Sequence, residues 1–147
     1  KEKGVGVIMR TFTFDSKDIT SDYGYTLESL AIGAPVRRST ELTIPFASGV
    51  VDMDKIMGYA TYDDRTITAK VWKKVDPADR MNEQNKLVDA FLIQSDRRAF
   101  IDSLDEKSEY RAICTALDFG ETTRNYVKCT MTFKASPYRL VDGSGVL

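Results

Sequence analysis

The chain has 147 residues, 42% of them hydrophobic, which suffices for one domain with a core of its own and falls short of two. Its 21 Lys and Arg nearly cancel 22 Asp and Glu, so no strong overall field selects nucleic acid or anionic lipid. Histidine is absent altogether, which excludes Ser-His and Cys-His triads and His-ligated metal centres.

No apolar run approaches the roughly 20 residues of a spanning helix, and KEKGVGVIM is too short and too polar for a signal peptide. A soluble chain that is not exported by the usual route is expected. Residues 1–8 read as an N-terminal arm or an expression remnant, with Met9 suited to a natural first residue. Gly4 and Gly6 do not extend to a phosphate-binding fingerprint.

From Met9 to Phe14 the chain alternates, Phe12 and Phe14 on one face and Thr11 and Thr13 on the other, as in a half-buried strand. DSKDITSDYG then supplies turn residues. A short strand is predicted over Tyr25–Leu30, broken at Gly33–Pro35, and a second from Arg38 with Thr40, Leu42, Ile44 and Phe46 on one face. Pro45 suits an edge or a strand exit, because it cannot donate to a ladder. From Ala47 to Thr61 no period survives, so a long excursion is expected there.

Thr66 to Val75 alternates again, with Ile67, Ala69, Val71 and Lys73 on one face and Trp72 on the other. Trp72 is expected to cover a second layer formed by the helix that follows. Asp76 as N-cap, Pro77 at the first helical position and acidic Asp79 predict that helix over residues 77–95. At about 100° per residue Met81, Val88, Phe91 and Leu92 share a face, with Leu87 at its edge and Ile93 outside it, a candidate contact to another subunit. Ala99–Leu104 reads as a strand, DEKSE as a polar turn, and Tyr110–Phe119 with Tyr126–Ala135 as a β-hairpin around FGETTRN. The hairpin brings Cys114 and Cys129 into neighbouring strands, where two thiols packed as small hydrophobes are expected and not a disulfide. SPYRLVDGSGVL has the composition of an exit or linker. Strands, one helix, then strands give an α+β domain with mostly antiparallel sheets.

Carboxylates are the remaining chemistry. Asp52, Asp54, Asp63 and Asp64 lie close in sequence, but DMD lacks the spacing and the glycine of a calcium loop, so a solvated loop is expected. Arg37 with Arg38, and Arg97 with Arg98, are isolated basic pairs suited to solvated faces or inter-subunit salt links. Asp63, Asp64 and Arg65 are expected as an exposed charge cluster at a strand entry, where they meet water or another copy of the chain.

The order of short motifs carries a resemblance. Phe12-Thr13-Phe14, Thr20-Ser21-Asp22-Tyr23-Gly24, Ala34-Pro35 with Arg37-Arg38, Ile44-Pro45, Tyr62 with Asp64-Arg65 and Ile67, and Phe133 to Tyr138 follow one another. Over Met9 to Tyr138 this resembles the N-terminal domain of the distal tail proteins of long-tailed, non-contractile bacteriophages and prophages. The chain departs from that pattern at Ile44-Pro45-Phe46-Ala47-Ser48-Gly49, where the family often carries a charged Ile-Pro-Gly-Arg-Asp-Gly loop.

The resemblance implies a β-sandwich-like α+β domain over residues 9–138, followed by a tail or linker over 139–147. It also implies a structural virion protein with no catalytic residues and no cofactor. Six copies would form a hub ring joining the tail tube to the tail tip or baseplate, with tape-measure protein and tail-associated lysin or tail-tip protein as neighbours. Assembly in the bacterial cytoplasm follows, with no membrane and no required nucleic-acid contact. Candidate subunit-interface residues are Arg37, Arg38, Asp63, Asp64, Arg65 and Ile93. The competing expectation is a β-sandwich carbohydrate-binding module of a phage adhesion device, with Trp72 and the tyrosines as stacking platforms; a carboxylate enzyme around Asp52 to Asp64 ranks last.

Overall fold

The computed structural model describes residues 10–38, 41–43, 50–52, 61–120 and 125–147, with the stretches 41–43 and 50–52 as backbone only. Met9, Thr40, Ile44 to Phe46, Asp54 and the GVGV segment, all singled out in the sequence, lie outside the described residues.

The first strand, β1 (Phe12–Phe14), turns through Asp15 and Ser16 into β2 (Lys17–Asp18). Both turn residues have positive φ, 54° and 67°, as a two-residue hairpin loop of the primed type requires. Asp18 closes the next turn, its Oδ1 accepting from the amides of Thr20 at 2.7 Å and Ser21 at 3.0 Å. Next come β3 (Thr26–Ile32), β4 (Val36–Arg38), β5 (Glu41–Thr43), β6 (Val50–Asp52), β7 (Thr61–Asp63) and β8 (Arg65–Lys74). Residues 50–52, expected in an excursion, pair as a strand with β5. A 3-10 turn at Pro77–Asp79 leads into α1 (Arg80–Phe91), with Asp76 at the cap position but making no side-chain cap bond. The chain ends with β9 (Arg98–Asp102), β10 (Asp105–Asp118), β11 (Tyr126–Ala135), β12 (Arg139–Val141) and β13 (Ser144–Val146).

The main sheet runs β2-β1-β9-β10-β11-β8-β3, antiparallel throughout, with β12 and β13 attached to β10. Three strand steps separate β1 from β11, about 14 Å in a flat sheet at about 4.8 Å per step. Yet the rings of Phe12 and Phe133 lie 6.1 Å apart, and those of Phe14 and Phe133 5.1 Å. The sheet therefore curls over its own core, which is what makes the fold sandwich-like. Register shifts between Cys114 and Ala116, Asp105 and Tyr110, and Leu27 and Ser29 supply local bends of the kind that allow such curvature.

Phe133 is the centre of that core. Its ring also meets Phe91 at 6.2 Å and Phe100 at 5.2 Å, so one side chain of β11 touches β1, β9 and α1. Ile67, Ala69 and Val71 of β8 and Val127, Cys129 and Met131 of β11 share the buried face. At the margin, Arg10 clamps buried Asp102 through Nε at 3.2 Å and Nη2 at 2.5 Å and donates to the Leu30 carbonyl at 3.2 Å, joining the chain before β1 to β9 and β3.

The structure corrects five expectations. Helix α1 ends at Phe91, short of residue 95, because Phe91 is its last residue with a core to enter. Its buried stripe is Leu87 and Phe91; Met81, Val88 and Leu92 are exposed. That face is held by Phe91 against Phe14, Tyr23 and Phe133 and by Glu83, which meets Lys73 Nζ and Tyr25 Oη at 3.4 Å each. Because α1 covers the Phe133 face, Trp72, which alternation sends to the opposite face, is not under it. DEKSE is no turn: Ser103 and Leu104 make the turn, and Asp105 already opens β10. Residues 139–147 contain the β12–β13 hairpin, closed by Asp142 and Gly143 at positive φ and held to β10 through Ser108 and Glu109.

Cys114 and Cys129 are buried free thiols on the adjacent strands β10 and β11. Burial pushes the Cys114 thiol up to about 11 and the Cys129 thiol up to about 12, from an ordinary 9.0. Below pH 9 both are protonated folded and unfolded; above it the unfolded chain releases protons that the folded chain keeps, so stability falls as pH rises toward 11–12. Urea unfolding from pH 8 to 11 is expected to show that decline, and a Cys114→Ala/Cys129→Ala variant a shallower one; native protein at pH 8 is expected to leave both thiols unreacted with DTNB. Phe133→Ala should cost about 3–5 kcal/mol in the same measurement, since the four surrounding rings cannot close over the space.

Candidate assembly surface

Between β3 and β8 the described residues form two strand pairs, and the outer pair makes a ribbon. Strands β4 and β7 pair in register Val36↔Asp63, Arg37↔Tyr62 and Arg38↔Thr61, and β5 with β6 is nested inside them in sequence. Neither pair joins the main sheet. Val36, Arg37 and Arg38 are all exposed, so no core holds β4 flat. Its cross-link is Arg38, whose Nε and Nη2 both lie 2.8 Å from Asp63 Oδ1.

Asp63, Asp64 and Arg65 do not form one cluster. Asp63 binds Arg38, Asp64 accepts from Arg97 Nη2 at 2.5 Å, and Arg65 turns inward with 6% exposure. The expectation of Arg65 as an exposed interface charge is therefore corrected. Arg65 opens β8, whose alternation puts residues 65, 67, 69 and 71 on the buried side. There its guanidinium lies 5.2 Å from the centre of the Tyr110 ring and its Nη2 donates to the Pro137 carbonyl at 2.6 Å. Burial, with Arg139 nearby, draws its pKa below the ordinary value. Its Nε finds no hydrogen-bond partner among the described residues.

Arg98 contacts Asp96 at 3.1 Å and Asp15 at 3.7 Å, so the Arg97-Arg98 pair is neutralised within the chain. Ile93 is 72% exposed, and Val88 and Leu92 add apolar surface at the same end of α1. Sequence periodicity placed Ile93 outside the buried stripe; it missed Val88 and Leu92, which lie off the face held by Phe91 and Glu83. For the carboxylate reading, the side chains of Asp52 and Asp54 lie outside the described residues, and Asp63 and Asp64 each face an arginine. Among the described residues no group of three or more acids or cysteines gathers around a common point.

The fold so assembled is similar to that of a solved bacteriophage tail protein. One solved structure with this likeness is Dit (gp 19.1) of phage SPP1, described as a paradigm of the hub adsorption apparatus in phages infecting Gram-positive bacteria. The match has a TM-score of 0.70 at 16% identity and covers 91% of this chain and 53% of that one. The chain thus spans about half the length of the protein it resembles, and at this identity the likeness is one of fold. The tail of an empty GTA particle matches at a TM-score of 0.43 and 9% identity, over 78% of this chain and 81% of that one, a level that adds nothing to the assignment. No family model matches the chain, and no curated protein matches it by sequence.

Arg65 is predicted to be structural. Arg65→Glu should melt well below the parent, because it loses the guanidinium bond to the Pro137 carbonyl and the contact with the Tyr110 ring and places an acid at a buried strand position. Arg65→Lys, which keeps the charge but loses the flat guanidinium over Tyr110, should fold with a lower melting temperature in a thermal scan.

Proposed function

We propose that this chain is the ring-forming part of a distal tail protein: a structural hub at the tip of a phage tail, carrying out no catalytic step. The observation that carries the reading is the fold shared with SPP1 Dit over 91% of the chain. The motif order from Phe12 to Tyr138 supports it independently. Residues 9–138 are the ring domain in this reading, and the β12–β13 hairpin over 139–147 packs onto it through β10.

Six copies close a ring that joins the tail tube to the tail-tip proteins, beside tape-measure protein and tail-associated lysin. It is assembled in the host cytoplasm and carried in the virion. Two exposed features are the contacts we assign to neighbouring copies. One is the β4–β7 ribbon with Arg37, Arg38, Asp63 and Asp64; the other is the apolar end of α1 at Ile93. The ribbon suits the task because it stands apart from the main sheet, and Ile93 because an isoleucine 72% exposed beside two further exposed aliphatics offers apolar surface to a partner.

Negative-stain imaging and native mass spectrometry are expected to show six-copy rings at high protein concentration or when tail-tube protein is added. A strict monomer under both conditions would sink the proposal. Arg38→Glu and Ile93→Asp are each expected to weaken ring formation while shifting unfolding free energy by no more than about 1 kcal/mol, as exposed positions allow. Combining Arg38→Glu with Asp63→Arg should restore the ribbon and, with it, part of the assembly.

A further inference from the structure

We propose that the open face of the main sheet binds an anionic saccharide, with Trp72 as its platform. The site is independent of ring formation and uses none of the residues assigned to it.

On β8 the residues facing away from the core are Thr66, Thr68, Lys70, Trp72 and Lys74. The β11 ladder sets Lys128 directly opposite Trp72, Tyr126 opposite Lys74, and Thr130 opposite Lys70. Three lysines thus surround one indole on one face. Trp72 and Tyr126 meet edge to face, ring centres 5.7 Å apart at 69°, which fixes both rings with no core behind them. Glu28 of β3 completes a cavity of about 420 Å³ with Trp72, Tyr126 and Lys128. That volume falls in the range of small-ligand sites, about 300–1,000 Å³. A second hollow of about 230 Å³ adjoins it through Glu28 and Lys128 and extends to Lys70 and Asp118.

Lys70, Lys74 and Lys128 make no ion pair or hydrogen bond among the described residues, and neither do Lys17, Lys107 and Lys134; what sets the first three apart is that they border one indole on one face. The lysines and Glu28 speak against a tightly buried protein interface, where both residue types are depleted, while the aromatic pair suits either kind of partner. A sugar ring fits better. It offers an apolar face to the aromatic pair and hydroxyls that donate to Glu28 and accept from Lys128. Three ammonium groups around the platform, against Glu28 at its rim, favour a sugar that carries an acid.

Trp72 is the chain's one tryptophan, so its emission reports this site alone. Titration with hyaluronan tetrasaccharide is expected to give a saturable emission change that added salt weakens. Chitotetraose, which lacks the acid, is expected to bind more weakly. Tyr126→Ala and Lys128→Ala, both exposed positions whose folding is checked by circular dichroism, should each weaken binding by about tenfold or more, and Lys17→Ala on β2 should leave it unchanged. No saturable change with either sugar at millimolar concentration would overturn the proposal, as would preferential binding of oligothymidylate. Equal binding of chitotetraose would overturn the anionic assignment. An emission change that follows protein concentration without sugar, and that Tyr126→Ala abolishes, would make the face a self-contact and overturn it too.

Discussion

The contact on which the rest depends is Phe133 against Phe12 and Phe14. Those rings sit three strands apart in the sheet, yet they meet within about 6 Å. They meet only because the sheet bends, and the bend makes a closed interior from a single sheet and one helix. Phe91 then docks α1 at the same point, and Phe100 fills the interval on β9. Burying large aromatic side chains at one point also concentrates stabilisation, at roughly 25 cal/mol for each Å² of apolar surface removed from water.

Much of this was legible in the sequence where period and burial coincide. Phe12, Phe14, Ile67, Val71, Cys129 and Phe133 alternate with polar neighbours, and each is buried where alternation places it. The helix start was legible too, from Asp76 and Pro77. What could not be read was orientation. Met81, Val88 and Leu92 make as good a stripe as Leu87 and Phe91 by spacing alone, and long-range contacts, Phe91 against Phe14, Tyr23 and Phe133 with Glu83 against Lys73 and Tyr25, accompany the stripe that turns inward. The β12–β13 hairpin escaped notice for a related reason: glycine and serine mark turns and linkers alike, and partnership with Ser108 and Glu109 is a long-range fact.

The charged positions show the same limit more sharply. Asp63, Asp64 and Arg65 are consecutive, so sequence reads them as one group. The backbone sends them to three destinations: the ribbon, Arg97 and the interior beside Tyr110. Adjacent residues of an extended chain face opposite ways, which makes neighbours in sequence poor neighbours in space. Trp72 was placed on the correct face but given the wrong cover, since nothing local distinguishes a face that receives a helix from one that stays open.

The ribbon has a mechanical consequence. It is rooted at the end of β3 and the beginning of β8, which are adjacent strands leaving the sheet at the same end. A pull on it along the axis of β8 draws the two roots together and cannot unzip them from each other. The load passes to the ladder between β8 and β11, ten residue pairs from Arg65↔Ala135 to Lys74↔Tyr126, strained in parallel and not one after another. Arg65, bonded to the Pro137 carbonyl just past the end of β11, ties the root of the ribbon to the far side of that ladder. Tension on the ribbon is thereby borne by the longest continuous register in the molecule.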